Sequence, residues 1–183
     1  MSRWGLSLKK IPLLEELSLI HRTMITAEDI DDVGRYCPLL KTFKLNRRGF
    51  FKKEEPDHVN YTGIAIAKYL PSLSHLELIG DSLNNIGLQA IMDGCTHLES
   101  LDIRQCMYID LKKDNIGKRC SERFKDVKLP NDSMEGGYMH LVANYEEPSM
   151  MIIMISDSDG NMKEFEPWND TQECNDYVKF YLR

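Results

Sequence analysis

The chain has 183 residues, of which 42% are hydrophobic and 28% charged, an ordinary composition for a globular protein of one or two domains. Its net charge of −6 is concentrated at one end, because residues 134–183 carry ten acidic and three basic side chains and leave residues 1–133 at +1. No basic face dominates, which argues against a nucleic-acid partner. The N-terminus lacks the apolar core of a signal peptide, and the longest apolar run, six residues from Met150, is too short to cross a bilayer.

A six-residue pattern, Leu-x-x-Leu-x-Leu with other apolar residues at some of these positions, recurs along the chain. We call it the leucine phrase. Its copies begin at intervals of 26, 33, 25 and 26 residues, at Leu14, Leu40, Leu73, Leu98 and Phe124. Self-similarity at this period is typical of leucine-rich repeats, each of which is one strand plus a returning helix. The sequence therefore predicts an α/β fold, a right-handed solenoid with parallel strands on its concave face and helices on its convex face. Four repeats and a terminal strand are expected over residues 1–133, followed by an acidic C-terminal segment over residues 134–183.

The first repeat shows how each unit is expected to be built. Leu17 and Leu19 alternate with Ser18, the two-residue period of a strand with one buried face. Thr26 is then expected to cap a helix whose inward positions include Ile30. Later repeats follow the same plan, with caps expected at Asn84 and Asp110. Their expected core residues are Leu76, Leu78, Leu83, Leu88, Ile91, Leu101, Ile103, Ile109 and Ile116.

The cysteines follow the repeat. Cys37, Cys95 and Cys120 share one position, which Leu70 fills in repeat two, and Cys106 falls in the turn after its strand. One thiol per repeat and no Cys-x-x-Cys motif favour buried apolar side chains over a metal or redox site. We expect no metal and no cofactor. Five cysteines without a secretory signal predict reduced thiols in the cytoplasm or nucleus.

The residues between the leucines are expected to line the concave face, in columns whose neighbours lie about 4.8 Å apart. On one interpretation this is a solvated, self-neutralised sheet, in which Lys44 pairs with Glu77 and Asp102 with Lys128. On the other, Asp102 and Arg104 form a partner-binding patch beside Ile79, and reversing both charges abolishes binding without lowering the melting temperature. The candidate partner-binding residues are Lys44, Asn46, His75, Glu77, Ile79, Asp102, Arg104 and Lys128.

Repeat two is seven or eight residues longer than the others, with the excess in residues 46–58. Insertions of this kind emerge as loops, often on a binding face. Two phenylalanines framed by basic residues suggest contact with a peptide or an acidic motif; the equally weighted alternative is that they pack beneath the loop on the convex side. The candidate loop residues are Arg47, Arg48, Phe50, Phe51, Lys52 and Lys53.

The acidic segment departs from the repeat. Residues 150–155 and 162–165 predict two strands of a hairpin that covers the open end of the stack; the alternative is a partly disordered tail. A calcium loop fails on register, because Ile155 would occupy its first ligand position. The five histidines are scattered and no catalytic motif occurs, so we expect no enzyme.

Several runs within residues 5–133 resemble plant F-box/leucine-rich-repeat proteins of the cysteine-containing type. The runs are Gly34–Lys41, Gly87–Cys95, Leu98–Cys106, Gly117–Cys120 and Lys128–Ser133. The resemblance implies a non-catalytic substrate receptor of an SCF-type ubiquitin ligase, in which an F-box binds the Skp adaptor of a cullin complex and the repeats present protein substrates for ubiquitination and degradation.

The F-box should precede the repeats, and it is not found in these residues. Skp adaptor and cullin are therefore expected as partners only if a longer form supplies it, and the substrates themselves are not identified by the sequence. No membrane partner is expected. The alternative function is a free-standing interaction module or decoy without coupling to a ligase. A small-molecule receptor is less favoured, because five strands are few for a deep pocket.

Overall fold

Five parallel strands, one for each leucine phrase, form the sheet of the repeat region. A computed structural model describes residues 8–20, 25–47, 60–134, 151–156, 164–165 and 178–182. The parallel strands are β1 (Glu16–Ile20), β2 (Thr42–Asn46), β3 (His75–Ile79), β4 (Ser100–Asp102) and β5 (Asp126–Lys128). Equivalent residues of the phrases stand side by side, as Leu17 does with Phe43 and Leu76 with Leu101. The predicted register of the repeats is therefore confirmed.

A helix lies between each pair of successive parallel strands. The helices are α1 (Ala27–Tyr36), α2 (Tyr61–Tyr69), α3 (Asn85–Gly94) and α4 (Ile116–Arg123), and a 3-10 turn, Lys113–Asn115, precedes the last. Alternate strand residues and the inward helix residues share one apolar core. This α/β arrangement, with a helix between successive parallel strands, fits a leucine-rich-repeat fold. The predicted core residues that it buries include Leu19, Ile30, Leu78, Leu88, Ile91, Ile103 and Ile116.

Two of the three predicted helix caps are confirmed. Thr26 and Asp29 form a reciprocal capping box at the start of α1, and the Asn84 side chain accepts a hydrogen bond from the N–H of Ile86. The prediction for Asp110 is wrong. Its Oδ1 accepts from the backbone N–H groups of Lys112 and Lys113, so it caps the 3-10 turn instead of α4. A left-handed residue, Asn115, lies at the start of α4.

The described cysteines are buried thiols, as the repeat pattern predicted. Burial raises the pKa of Cys37 to about 12 and that of Cys95 to about 11. The pKa of Cys106 is also raised, first by burial and then by the charge of Asp81, and burial raises that of Cys120. The Cys106 thiol donates to the carbonyl of Leu78 at 2.9 Å. These thiols therefore stay protonated and act as small apolar side chains.

Three further strands extend the sheet beyond β1. They are β6 (Met151–Ser156), β7 (Glu164–Phe165) and β8 (Val178–Leu182), and the strand order is β5-β4-β3-β2-β1-β6-β8-β7. The strand predicted at residues 150–155 is present, and β7 falls within the predicted return strand. The predicted hairpin is wrong, because β8 lies between β6 and β7 and pairs with both. None of the helices in the described residues has the length and apolar character needed to span a bilayer.

Candidate binding face

The sheet has a second face, formed by the side chains that alternate with the core leucines; we call it the outer sheet face. Strand pairing arranges its residues in three rows that cross the strands. The first row is Glu16, Thr42, His75, Ser100 and Asp126. The middle row is Ser18, Lys44, Glu77, Asp102 and Lys128. The last row contains Asn46 and Ile79, and continues beyond the shorter strands to Arg104 and Pro130.

Exposure falls from the first row to the last. His75 and Asp126 are exposed, and Ser100 between them is half-buried. In the last row Asn46 retains 7% of its accessible surface and Ile79 only 1%. A partner approaching the outer sheet face therefore meets the first row and part of the middle row, and the last row is closed to it.

The middle row carries charges of both signs, with Lys44 and Lys128 on either side of the neighbouring acids Glu77 and Asp102. Lys44 Nζ lies 2.5 Å from Glu16 Oε1, and Lys128 Nζ lies 3.7 Å from Asp102 Oδ2. The predicted pairing of Asp102 with Lys128 is confirmed. Lys44 stands beside Glu77 in the strand pairing, as predicted, and its charge acts on the Glu77 carboxyl; its Nζ also contacts Glu16. Burial raises the pKa of Glu77, and the charge of Lys44 opposes that rise.

The hypothesis of an exposed patch at Asp102 and Arg104 is wrong. Each residue retains 3% of its accessible surface, and the two carboxylate oxygens of Asp102 accept from the Arg104 guanidinium at 2.6–3.0 Å. Arg104 Nη1 also donates to the carbonyl of Ser133, where the chain folds back after β5. The hydrogen bonds between the Arg104 guanidinium and the Asp102 carboxylate raise the pKa of Arg104. The pair therefore stabilises the end of the sheet and offers no charge to a partner.

Arg47 was expected in a surface loop, and this expectation is also wrong. Its side chain is 5% exposed and lies on the core side of the sheet, directly after β2. Nη1 is 3.3 Å from Asp81 Oδ2, and Nη2 donates to the Tyr61 hydroxyl at 3.0 Å. The Tyr61 hydroxyl in turn donates to the carbonyl of Ile25. The other loop candidates, Arg48, Phe50, Phe51, Lys52 and Lys53, lie outside the described residues.

Sequence reasoning missed this polar network inside the repeats. A signal was available in Gly80-Asp81, since a lone acid between the apolar residues Ile79 and Leu83 either points outward or has a buried partner. Asn60 was missed as well. Its side-chain oxygen accepts from the N–H groups of Asn84 and Gly87, so it joins repeat two to repeat three.

The outer sheet face is suited to polar contact. Its accessible rows place acids, lysines, a histidine and a serine at strand spacing, which matches a partner that presents alternating hydrogen-bonding groups. Among the described residues, no group of three or more His, Cys, Asp or Glu side chains is arranged to hold a metal ion.

Comparison with known proteins identifies relatives for most of the chain. F-box/LRR-repeat protein 23 of Arabidopsis thaliana is 47% identical over 130 residues, which cover 69% of this chain and 28% of that protein. The resemblance to plant F-box/leucine-rich-repeat proteins is confirmed. F-box/LRR-repeat protein 22 of the same plant is 46% identical over 129 residues, covering 69% of the chain and 39% of the relative. F-box protein SKIP19, also from Arabidopsis, is 42% identical over 125 residues, which cover 68% of this chain and 38% of SKIP19.

The chain spans less than half the length of these F-box relatives. No protein-family model matches it.

Proposed function

We propose that this chain is the substrate-recognition part of an SCF-type E3 ubiquitin ligase, acting in protein ubiquitination and degradation. The observation that carries the proposal is the 47% identity to an F-box/LRR-repeat protein over 130 residues. An F-box protein couples to the ligase through its F-box and selects substrates through its other part. The repeats of this chain take the second role, and the first requires an F-box supplied by a longer form.

The proposal assigns a role to each part of the chain. Residues 1–133 form the right-handed repeat solenoid, and its concave face is the outer sheet face. Residues 134–183 form an acidic appendage. The chain binds a protein in the cytoplasm or nucleus, where the ligase works, and carries out no catalysis itself.

The partner-binding surface is the accessible part of the outer sheet face. We assign partner contact to His75 in the first row and to Lys44, Glu77 and Lys128 in the middle row. Asn46, Ile79, Asp102 and Arg104 are buried beside these residues and hold the surface in place. Because Lys44 and Lys128 lie on either side of the acids in the middle row, a partner must match a sign pattern and not merely a net charge.

The proposal is tested by capturing partners from plant extract with proteasome activity inhibited, and identifying them by mass spectrometry. A first-row variant combines His75→Glu with Asp126→Lys, both at exposed positions. A matched control combines Lys118→Glu with Glu122→Lys on α4, where the side chains are 76% and 64% exposed. We expect the first-row variant to lose most of the captured proteins, the control to retain them, and neither variant to change its melting temperature.

Coupling to the ligase is tested separately, with the F-box segment of F-box/LRR-repeat protein 23 joined before Met1. We expect Skp adaptor and cullin among the proteins captured by this chimera, together with those captured by the repeats alone. Retention of every partner by the first-row variant would contradict the assigned surface. Adaptor capture without increased ubiquitination of the captured proteins would favour a free-standing interaction module or decoy.

A further inference from the structure

The N-terminal edge of the five-stranded parallel sheet is covered by another part of the chain. On the β2 side of β1, the N–H groups of Lys41 and Thr42 donate to the carbonyl of Glu15 at 2.8 and 3.0 Å. Backbone groups of successive strand residues point to opposite edges, so Glu15, Leu17 and Leu19 face β2. The N–H and C=O groups of Glu16, Ser18 and Ile20 therefore point away from β2.

Strand β6 lies along this outward edge in antiparallel pairing. All five residues of β1 have partners in it, from Glu16 opposite Ser156 to Ile20 opposite Ile152. The outward groups of β1 fix which pairs exchange backbone hydrogen bonds, namely Glu16 with Ser156, Ser18 with Met154 and Ile20 with Ile152. Ser18 retains only 1% exposure, although it faces away from the core. The edge is thus fully paired.

The chain is long enough to place its own β6 there. Strand β6 is five strand positions from β5, a distance of about 24 Å at the usual spacing. Residues 135–150 connect the two, and sixteen extended residues reach about 50 Å. A tether of this length gives an effective concentration in the millimolar range, well above ordinary protein concentrations. Pairing within one chain is therefore favoured over pairing between chains.

We propose that the β1 edge is a strand-docking site that the chain fills with its own residues 151–156. When that strand is displaced, the site accepts residues 151–156 of a second copy, giving a strand-exchanged dimer. An unpaired strand edge is a template for other extended chains, and exchange of an identical element between copies makes no new contact. This inference does not depend on the proposed ligase function.

A peptide of residues 149–158, labelled with a fluorophore, tests the docking site on the full chain. The variant Met154→Pro removes the N–H that pairs with Ser18 and should free the β1 edge. We expect the peptide to bind this variant at least ten-fold more tightly than the wild-type chain, whose edge is occupied. We also expect the variant to accept residues 151–156 of a wild-type chain in a mixed dimer, and not to dimerise by this route with itself, because every variant copy carries the proline. Equal peptide binding by the two proteins would overturn the proposal.

Two modified peptides supply a matched control. N-methylation at Met154 blocks an N–H that points to β1, whereas N-methylation at Ile153 blocks one that points to the opposite edge. We expect the peptide methylated at Ile153 to bind like the unmodified one, and the peptide methylated at Met154 to lose binding. Equal losses from the two modifications would show that backbone pairing with β1 is not the mode of attachment.

A cross-link keeps the proposal testable if Met154→Pro does not fold. Ser18→Cys and Met154→Cys, introduced with Cys174→Ser, place thiols on a hydrogen-bonded pair whose Cα atoms lie about 5.5 Å apart, within reach of a disulfide. We expect a disulfide within single chains at low protein concentration, and none when Ile153→Cys replaces Met154→Cys. Absence of the Ser18–Met154 link, or its presence only between chains after dilution, would refute the docking of the chain's own strand.

Discussion

Arg47 and Asp81 form a buried ion pair that joins the end of β2 to the turn after β3. Their side chains are 5% and 0% exposed, and Nη1 lies 3.3 Å from Oδ2. The Arg47 guanidinium also lies 5.9 Å from the centre of the Tyr61 ring. A charge taken out of water is tolerated only beside a partner. The pair therefore couples repeat two to repeat three, and connects both to Ile25 through Tyr61.

Replacing Asp81 with Asn should destabilise the chain strongly, because the Arg47 charge is then buried without its counter-charge. We expect a loss of about 3–5 kcal/mol in the free energy of unfolding, measured by urea denaturation. Arg47→Met should have a comparable effect, and the double variant should lose much less than the sum of the two. Arg35→Ala, which removes an exposed pair with Asp31, is the control and should change little. Additive losses would show that Arg47 and Asp81 are not coupled.

The repeat period of the leucines predicted this fold, but it did not predict the buried ion pairs Arg47–Asp81 and Asp102–Arg104. The strand at Leu17 and Leu19 and the helix cap at Thr26 both depend on neighbours within a few residues. Such local features can be predicted from a single sequence. The burial of Arg104 depends on the chain at Ser133, twenty-nine positions later. The pairing of β1 with β6 spans more than a hundred residues. Contacts at such separation leave no local periodicity, which is why the burial of Arg104 beneath Ser133 and the position of β8 between β6 and β7 were not predicted.

Asp102 and Arg104 should now behave as structural residues. We expect Arg104→Ala to destabilise the chain by about 3 kcal/mol, because it leaves the buried Asp102 carboxylate without the guanidinium, beside only the backbone N–H of residue 104 and the Lys128 ammonium 3.7 Å away. Lys128→Ala is the control, since its side chain is 44% exposed and its loss should cost less than about 1 kcal/mol. Thermal unfolding of both variants makes the comparison. A stable, folded Arg104→Ala chain that had lost only its partners would restore the exposed-patch hypothesis.

Close contact between successive helices depends on small residues. A Cβ at Gly94, the last residue of α3, would lie 2.5 Å from the backbone oxygen of Ala67 in α2, and one at Gly34 would meet the carbonyl of Tyr69. Neither oxygen can move without shifting its helix. Gly94→Ala should therefore reduce the free energy of unfolding by about 1–3 kcal/mol, measured by urea denaturation.

Gly117 supplies a comparison within α4. A Cβ there would lie 3.2 Å from the carbonyl oxygen of Leu111, a contact that small movements relieve. Alanine in place of glycine also favours a helix by about 0.5–1 kcal/mol, which offsets the crowding. We expect Gly117→Ala to be close to neutral. Equal losses at Gly94 and Gly117 would mean that helix spacing is not set by the glycine contact.

The Glu77 carboxyl makes the stability of the outer sheet face depend on pH. Its pKa is raised, first by burial and then by the charge of Asp102, while Lys44 and Lys128 act in the opposite direction. The folded state therefore holds the proton more tightly than the unfolded state, and ionisation of Glu77 costs stability. This cost is absent below the ordinary glutamate pKa, grows as pH rises through the raised value, and is complete above it.

Glu77→Gln removes that cost. We expect the variant to have a higher melting temperature than wild type at pH 7, and the difference to shrink as pH falls, until it vanishes below about pH 4. Glu99→Gln is the control, and we expect it to change the melting temperature at pH 7 in the opposite direction, to a lower value than wild type. The pKa of Glu99 is lowered by its hydrogen bond to Lys125, so its ionised form is favoured in the folded state. A melting temperature of Glu77→Gln that fell below wild type at neutral pH would show that the lysine contacts outweigh burial.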